Sequence, residues 1–382
     1  MKNILYVSPF ARIGGGELSL IAILKNLDKE VFKAQVICYE QGHFPDKLRE
    51  LGFDCVVLKR RFKALDGFLI LRLISYIKKR KIDIVHVNSL DIRAAIAAKL
   101  SGVPLIGHLR VIFAFTWVDS LFARLSDITI AVSYAALEAF CAKFKDLRSK
   151  FIVLPPLIDM KSVETAPADL RKEFSLNEED KLIGIVGRLD PFKGHDVFLR
   201  SAAIIKNMLP RVKFLIIGGS LPPDNGEAAY LKQIKELARE LGLSGDVIFT
   251  GFRDDVLKVM AGLDVLVAPS RQIKRGTGVV NEGFGRIILE AMSLGVPVVA
   301  SASGGLGEII DDKVNGLLVR PDDYIHTAEA VLFILNNAQK RQEMLEEAKR
   351  KFESCYSVKN ISLLLELYHN VVRGKRRGIK KV

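Results

Sequence analysis

Short runs of β-branched and aliphatic residues recur along this chain, and each is followed by a stretch whose apolar residues fall at helical spacing. In the first half the strand-like runs are NILYVS, AQVICY, CVVL, DIVHV, PLIGHL and ITIAV, with helical patterning over 16–27, 68–80, 91–100 and 134–144. This alternation predicts a parallel sheet with helices on both faces, because parallel neighbours need a long crossover. The rhythm pauses at VLPPLIDMKSVETAPADL, residues 153–170, where prolines and polar residues replace periodicity and a linker is expected. It resumes with LIGIVG, KFLIIGG, DVIFTG, DVLVAPS, VPVVAS and GLLV, which predict a second doubly wound domain. Helical patterning then fills 322–336, 339–354 and 357–373. No internal repeat of 20 to 50 residues is evident.

A chain of 382 residues exceeds one ordinary domain, and 49% apolar residues suffice for two cores. The expected division is 1–158 and 159–356, with the helix at about 357–373 packing back on the first domain and a basic tail at 374–382. No apolar run reaches the roughly 18 residues of a membrane span. The start MKNILYVSPF lacks a basic region ahead of an apolar core, so a cytosolic location is expected. Cys38, Cys55, Cys141 and Cys355 are scattered without C-x-x-C spacing and are expected to be reduced, with no zinc site.

In open parallel sheets ligands bind beyond the carboxyl ends of the strands, and two such sheets facing each other would form a deep cleft lined by post-strand loops. The unusual residue clusters fall in those loops. SPFARIGGGELSL puts Gly14, Gly15 and Gly16 between the first strand and first helix, where bare N–H groups suit a phosphate and a flexible turn is the alternative. The stretch does not match the G-x-G-x-x-G dinucleotide pattern. In GIVGRLDPFKG, Arg188 and Lys193 flank a proline turn; a planar fork donor and a compact charge together suit a diphosphate, although solvated surface cations are the commoner fate. NEGFGRIILEAM sets Glu282 ahead of a glycine turn that presents the N–H groups of Phe284, Gly285 and Arg286 at a helix start. Glu290 then falls among Ile287, Ile288, Leu289, Ala291 and Met292, where an acid needs a hydrogen-bonding partner. Vicinal hydroxyls, as on a ribose, would satisfy both its oxygens.

GRLDPFKG followed by EGFGRIILEAMSLGVPVVASASGGLGE resembles the retaining glycosyltransferases of family 4. GGGE, DIVHVNS, HLR, the GF after Thr250 and APS fit the same family, and the likeness covers essentially the whole chain. The resemblance implies an α/β chain of GT-B architecture, two facing Rossmann-like doubly wound parallel-sheet domains with a deep interdomain cleft. It implies transfer of a sugar from a nucleotide-sugar with retained anomeric configuration; a UDP- or GDP-linked donor is expected ahead of an ADP-linked one, and the basic N-terminal surface and tail suggest a lipid-linked or growing glycan as acceptor. Neither a cofactor nor a metal is implied, since cations and helix N-termini do what Mg²⁺ does elsewhere. By the same resemblance Glu290 would hold the ribose, Arg188 and Lys193 the diphosphate, and Glu282 with Phe284, Gly285 and Arg286 the donor sugar and phosphate. His108 would lie beside the anomeric centre, Gly15 and Gly16 would approach the phosphates, and Phe252 and Arg253 would meet the base. His86, in an apolar run, is expected to be structural.

Two features depart from the pattern. RQIKRGTGVVN, 271–281, is inserted before the EGFG turn and reads as a mobile loop at the cleft; Arg286 is larger and more charged than expected. The net charge of +13 is concentrated in the N-terminal half and the RGKRRGIKKV tail. KRRFKALDGFLILRLISYIKKRK, 59–81, could lie on an anionic membrane or simply pack on the sheet, and RVIFAFTWVDSLFARL, 110–125, could dock a lipid-linked acceptor or be core. Peripheral attachment to the inner membrane face is therefore an expectation. The alternatives are a nucleic-acid-binding protein, disfavoured because it gives Glu290 no role, a nucleotide-sugar epimerase of the same fold, and a scaffold that has lost activity.

Overall fold

The computed structural model describes residues 1–62, 65–160, 167–219, 225–276 and 278–374. The basic run from 375 onward lies outside them, as does the stretch 161–166 within the expected linker. The chain forms two compact units, one of Met1–Asp159 with the segment from Tyr356 onward, the other of Met160–Cys355.

The first unit is built on seven parallel strands, β1 (Lys2–Ser8), β2 (Phe32–Cys38), β3 (Cys55–Val57), β4 (Ile84–Val87), β5 (Leu105–Leu109), β6 (Ile128–Ala131) and β7 (Phe151–Val153). Their order is β3-β2-β1-β4-β5-β6-β7, so the winding reverses between β1 and β4. Strand β7 lies at the edge of the expected linker; Phe151–Val153 completes the sheet before the prolines interrupt pairing. One sheet face meets helix Gly67–Lys79 and the alanine-rich helix Ile92–Leu100, through Leu69, Leu73, Ala94 and Ala98. The other face carries Ile4, Tyr6, Ile84, Ile106 and Ile130 and is covered by Leu20 and Leu24 of helix Gly15–Asn26 and by Leu364, Leu367 and Tyr368 of helix Ile361–Val372. The last described helix is thus part of the first unit's core.

The second unit has six parallel strands, β8 (Lys181–Val186), β9 (Val212–Ile217), β10 (Val247–Gly251), β11 (Val265–Ala268), β14 (Val298–Ser301) and β15 (Leu317–Val319), in the order β10-β9-β8-β11-β14-β15. Its winding reverses between β8 and β11. Between β11 and β14 a separate antiparallel pair, β12 (Ile273–Arg275) and β13 (Gly278–Val280), forms a hairpin.

That hairpin corrects the expectation of a mobile loop at 271–281. Ile273 pairs with Val280 and Lys274 with Val279, while Gly276 sits in the turn at φ 59°. Arg271 donates to Asp196 and Asp322, and Arg275 to Asp190, so the insert is tied down by its own cations. The four cysteines are free thiols, and the sulfurs of Cys38 and Cys55 lie 4.0 Å apart on neighbouring strands. Among the described residues no helix is long and apolar enough to cross a membrane.

Candidate active site

Each sheet reverses its winding where two adjacent strand ends leave a gap, and most of the candidate residues lie at or beside those two places, whereas Phe252 and Arg253 follow the edge strand β10. In the second unit the loop leaving β8 carries Arg188 and Lys193. Gly187 and Gly194 have φ of 154° and 76°, and a Cβ on Gly194 would stand 2.1 Å from the Pro269 carbonyl oxygen, so this loop closes against the end of β11 only with glycine there. Lys193 Nζ donates to Glu282 Oε2 at 2.5 Å, with both side chains mostly buried. Ser270 Oγ stands 3.4 Å from the same oxygen. Arg188 is exposed, its guanidinium 5.9 Å from the Phe192 ring, and it has no carboxylate partner among the described residues.

The turn before helix Arg286–Leu294 follows from the same logic. Gly285 caps the helix at φ 98°, and Gly304 would put a Cβ 2.0 Å from the Glu282 carbonyl oxygen. The Gly305 N–H donates to that carbonyl at 3.1 Å, so the Ser303–Gly305 loop after β14 clamps the turn. Helix N–H groups at this end provide a partial positive charge. A cavity at the ends of β8 and β11 is lined by Lys193, Ser270, Glu282, Gly285 and Ile287.

Glu290 is buried as expected, but it has a partner in its own helix. Arg286 Nε donates to Glu290 Oε1 at 2.7 Å, one turn apart. The residue that looked like a departure in the sequence is the counter-charge that lets a carboxylate sit on an apolar face. Arg253 lies after β10 and is held by Glu173 and Asp255, which push its pKa up. Phe252 beside it is exposed.

In the first unit Gly15 and Gly16 begin the helix after β1, and Glu17 accepts from the Gly14 N–H at 3.1 Å. A Cβ on Gly16 would meet Arg110 Cδ at 2.9 Å, so the loop presses on the side chains at the end of β5. Arg110 Nε donates to Asn88 Oδ1 at 2.8 Å. His108 lies inside β5 and is buried. Its Nδ1 is 3.3 Å from His86 Nε2, and His86 Nδ1 is 2.7 Å from the Tyr368 hydroxyl. Burial, then the nearby Arg110, holds both imidazoles far below their usual pKa, His86 at about 3, so both are neutral. His108 Nε2 and Asn88 Nδ2 have no hydrogen-bond partner among the described residues. The sequence pointed to His108 but gave Asn88 and Arg110 no individual role; their proximity depends on strand register, in which Val87 faces Gly107.

Two doubly wound parallel-sheet units, each with glycine-shaped loops at the ends of its strands, define an α/β chain of the GT-B type. The chain belongs to the group 1 glycosyltransferases of family 4. The family described as glycosyl transferases group 1 matches residues 168–351, and the one described as glycosyltransferase family 4 matches 13–162. A D-inositol 3-phosphate glycosyltransferase of Corynebacterium urealyticum is 32% identical over 255 residues, which take in 64% of this chain and 57% of that one. The chain spans about half the length of the curated relatives of this kind that it matches. A 2-deoxystreptamine glucosyltransferase of Streptomyces kanamyceticus is 28% identical over 85% of this chain and 82% of its own. Among solved structures, Anabaena HepE in complex with UDP-glucose aligns with a TM-score of 0.83 and 25% identity, covering 98% of this chain and 100% of that one.

Proposed function

We propose that this chain transfers a sugar from a UDP- or GDP-linked donor to a hydroxyl of a lipid-linked or growing glycan acceptor. The observation that carries the reading is the arrangement at the ends of β8 and β11: an exposed Arg188 with no carboxylate partner among the described residues, the Lys193–Glu282 pair, and the Gly285-capped helix start. A leaving diphosphate needs its developing charge neutralised, and a guanidinium fork, an ammonium and helix N–H groups supply that. The similarity to HepE, whose structures hold UDP and UDP-glucose, supports a nucleotide-sugar donor.

In this reading Arg188 and Lys193 bind the diphosphate, and Lys193 exchanges its hold on Glu282 for shared contact with phosphate. Glu282 then accepts from donor-sugar hydroxyls, alongside the backbone of Phe284, Gly285 and Arg286. Glu290 keeps Arg286 on one oxygen and offers the other to the ribose. His108 faces the donor sugar, Gly15 and Gly16 approach the phosphates, and Phe252 stacks near the base while Arg253 shapes that wall through Glu173 and Asp255. The anomeric configuration is retained through an oxocarbenium-like state, with the leaving diphosphate helping to deprotonate the incoming hydroxyl on the same face. No metal takes part, because fixed cations occupy its role.

Association with an anionic membrane surface belongs to the same proposal. Phe62, Leu65, Phe68 and Leu71 are exposed before and along helix Gly67–Lys79, and the guanidinium of Arg61 lies 4.1 Å from the Phe68 ring centroid. Trp117 is 72% exposed at the start of helix Trp117–Leu125. Aromatic groups interleaved with cations suit a bilayer interface.

A thermal-shift series with UDP, GDP and ADP tests the donor: stabilisation by UDP or GDP is expected, and no response to any of the three overturns the reading. Flotation with anionic liposomes at physiological salt tests the membrane surface, and protein absent from the lipid fraction would refute it.

A further inference from the structure

The polar groups of the first unit form a line that the transfer reaction does not account for. Tyr6 on β1, His86 on β4 and His108 on β5 share one face of the sheet, since Tyr6 pairs with His86 in register and His108 lies two residues beyond Ile106, the partner of His86. Helix Ile361–Val372 lays Tyr368 across this row. Tyr6 and Tyr368 hydroxyls are 3.0 Å apart, Tyr368 is 2.7 Å from His86 Nδ1, and His86 Nε2 is 3.3 Å from His108 Nδ1. All four side chains are essentially buried. At the end of the line His108 Nε2 is buried with no partner among the described residues. A row of polar groups through an apolar core is costly unless its members serve one another.

From this geometry we infer that Tyr368 and His86 are positioning residues which fix His108 in the tautomer carrying its proton on Nε2, making it a hydrogen-bond donor toward the substrate. The direction follows from the chemistry of the groups. A neutral imidazole has one N–H and one lone pair, so settling either nitrogen settles the other. The lone pair of an imidazole accepts better than a phenol oxygen, so the Tyr368 hydroxyl donates to His86 Nδ1. His86 then carries its proton on Nε2 and donates to His108 Nδ1, which leaves the His108 proton on Nε2. Tyr6 completes the series by donating to the Tyr368 oxygen. His108 in this state cannot act as a general base through Nε2. It can donate to a sugar hydroxyl or to oxygen gaining negative charge during transfer.

The role assigned to the donor rests on the glycosyl-transfer reading, whereas the tautomer does not, and the test separates the two. The sequence holds six histidines, so long-range ¹H–¹⁵N correlations of the imidazole rings in the full-length ¹⁵N-labelled protein can be assigned with His86→Gln and His108→Gln. Both rings are expected as the Nε2–H form in the unaltered protein. Tyr368→Phe should shift both toward a mixture, and Tyr6→Phe should do so less. Turnover with the nucleotide-sugar should fall on the order of tenfold to a hundredfold in Tyr368→Phe while the donor KM changes little, as for an outer partner that orients a reacting imidazole. Thermal unfolding verifies that each variant folds; if Tyr368→Phe does not, Tyr6→Phe decides alone. A proton on Nδ1 of His108 in the unaltered protein, or ring signals unchanged in the folded variants, would overturn the inference. An inactive protein with the expected tautomer would overturn glycosyl transfer and leave the relay standing.

Discussion

The two switch points of this molecule hold polar groups in opposite ways. In the second unit charges are kept as charges: Lys193 is paired with Glu282, Arg286 with Glu290, and Arg188 stands in solvent. In the first unit burial has stripped charge from the imidazoles, and His86, His108, Tyr6 and Tyr368 form a neutral series. The difference teaches what each place can receive. Paired ions can exchange partners with an anion at small cost, because a compensating charge is present before and after. A neutral buried series cannot take up an ion cheaply, but it can present a fixed donor to an uncharged hydroxyl.

The comparison breaks most decisively at Arg188. Arg188→Ala removes an exposed cation that has no carboxylate partner among the described residues, so the fold should stand while turnover with the nucleotide-sugar falls on the order of 10²–10³-fold, read by steady-state kinetics. A smaller loss would mean that the second unit's charges are structural. Next in size is Glu290→Gln, expected to weaken nucleotide binding about tenfold by titration calorimetry. The double variant with Arg286→Met separates two roles for that acid. If Glu290 serves only Arg286, the double variant recovers binding; if it also holds the ribose, binding stays weak.

Acid should reveal the neutral imidazoles. Burial lowers the folded pKa of His86 and His195 to about 3 and that of His108 well below 6.5. Below pH 6.5 the unfolded chain takes up protons that the folded imidazoles refuse. Their contribution is therefore complete above about 6.5 and is lost as the pH falls toward 3, at up to about 1.4 kcal/mol per pH unit for each group. Two of the three lie in the first unit, so hydrogen exchange at pH 7 and pH 5 should show that unit loosening more, and His86→Gln should flatten its slope. The smallest effect is expected at the hairpin. Arg275→Ala breaks a pair whose arginine is half exposed, and urea unfolding should register at most about 1 kcal/mol.

Much of this was readable from the residues alone. The strand runs from NILYVS to GLLV foretold parallel strands in two units, because a strand covered on both faces has to be apolar throughout. The helix carrying Glu290 was legible from spacing, and so was the need for a partner. The partner's identity was not recognised, although Arg286 stands four residues earlier, at the interval that brings side chains together on a helix. Strand β7 escaped because its three residues run directly into Leu154, Pro155 and Pro156, whose composition signals a break. The hairpin escaped because two three-residue strands carry too few alternations to distinguish them from a loop. The line through Tyr368 could not be seen at all. His86 and Tyr368 are separated by 282 positions, and nothing local in either segment specifies that they meet.

The return of helix Ile361–Val372 into the core of the first unit has a consequence for biosynthesis. A ribosome delivers β1 to β7 early, yet Leu364, Leu367 and Tyr368, which close that sheet's face, emerge only after the entire second unit has been made. The unit translated first is therefore the one finished last, and during that interval a face bearing Ile4, Ile84 and Ile106 waits partly uncovered. Nascent chains stalled before residue 361 should hold a protease-resistant second unit beside a first unit still open to cleavage.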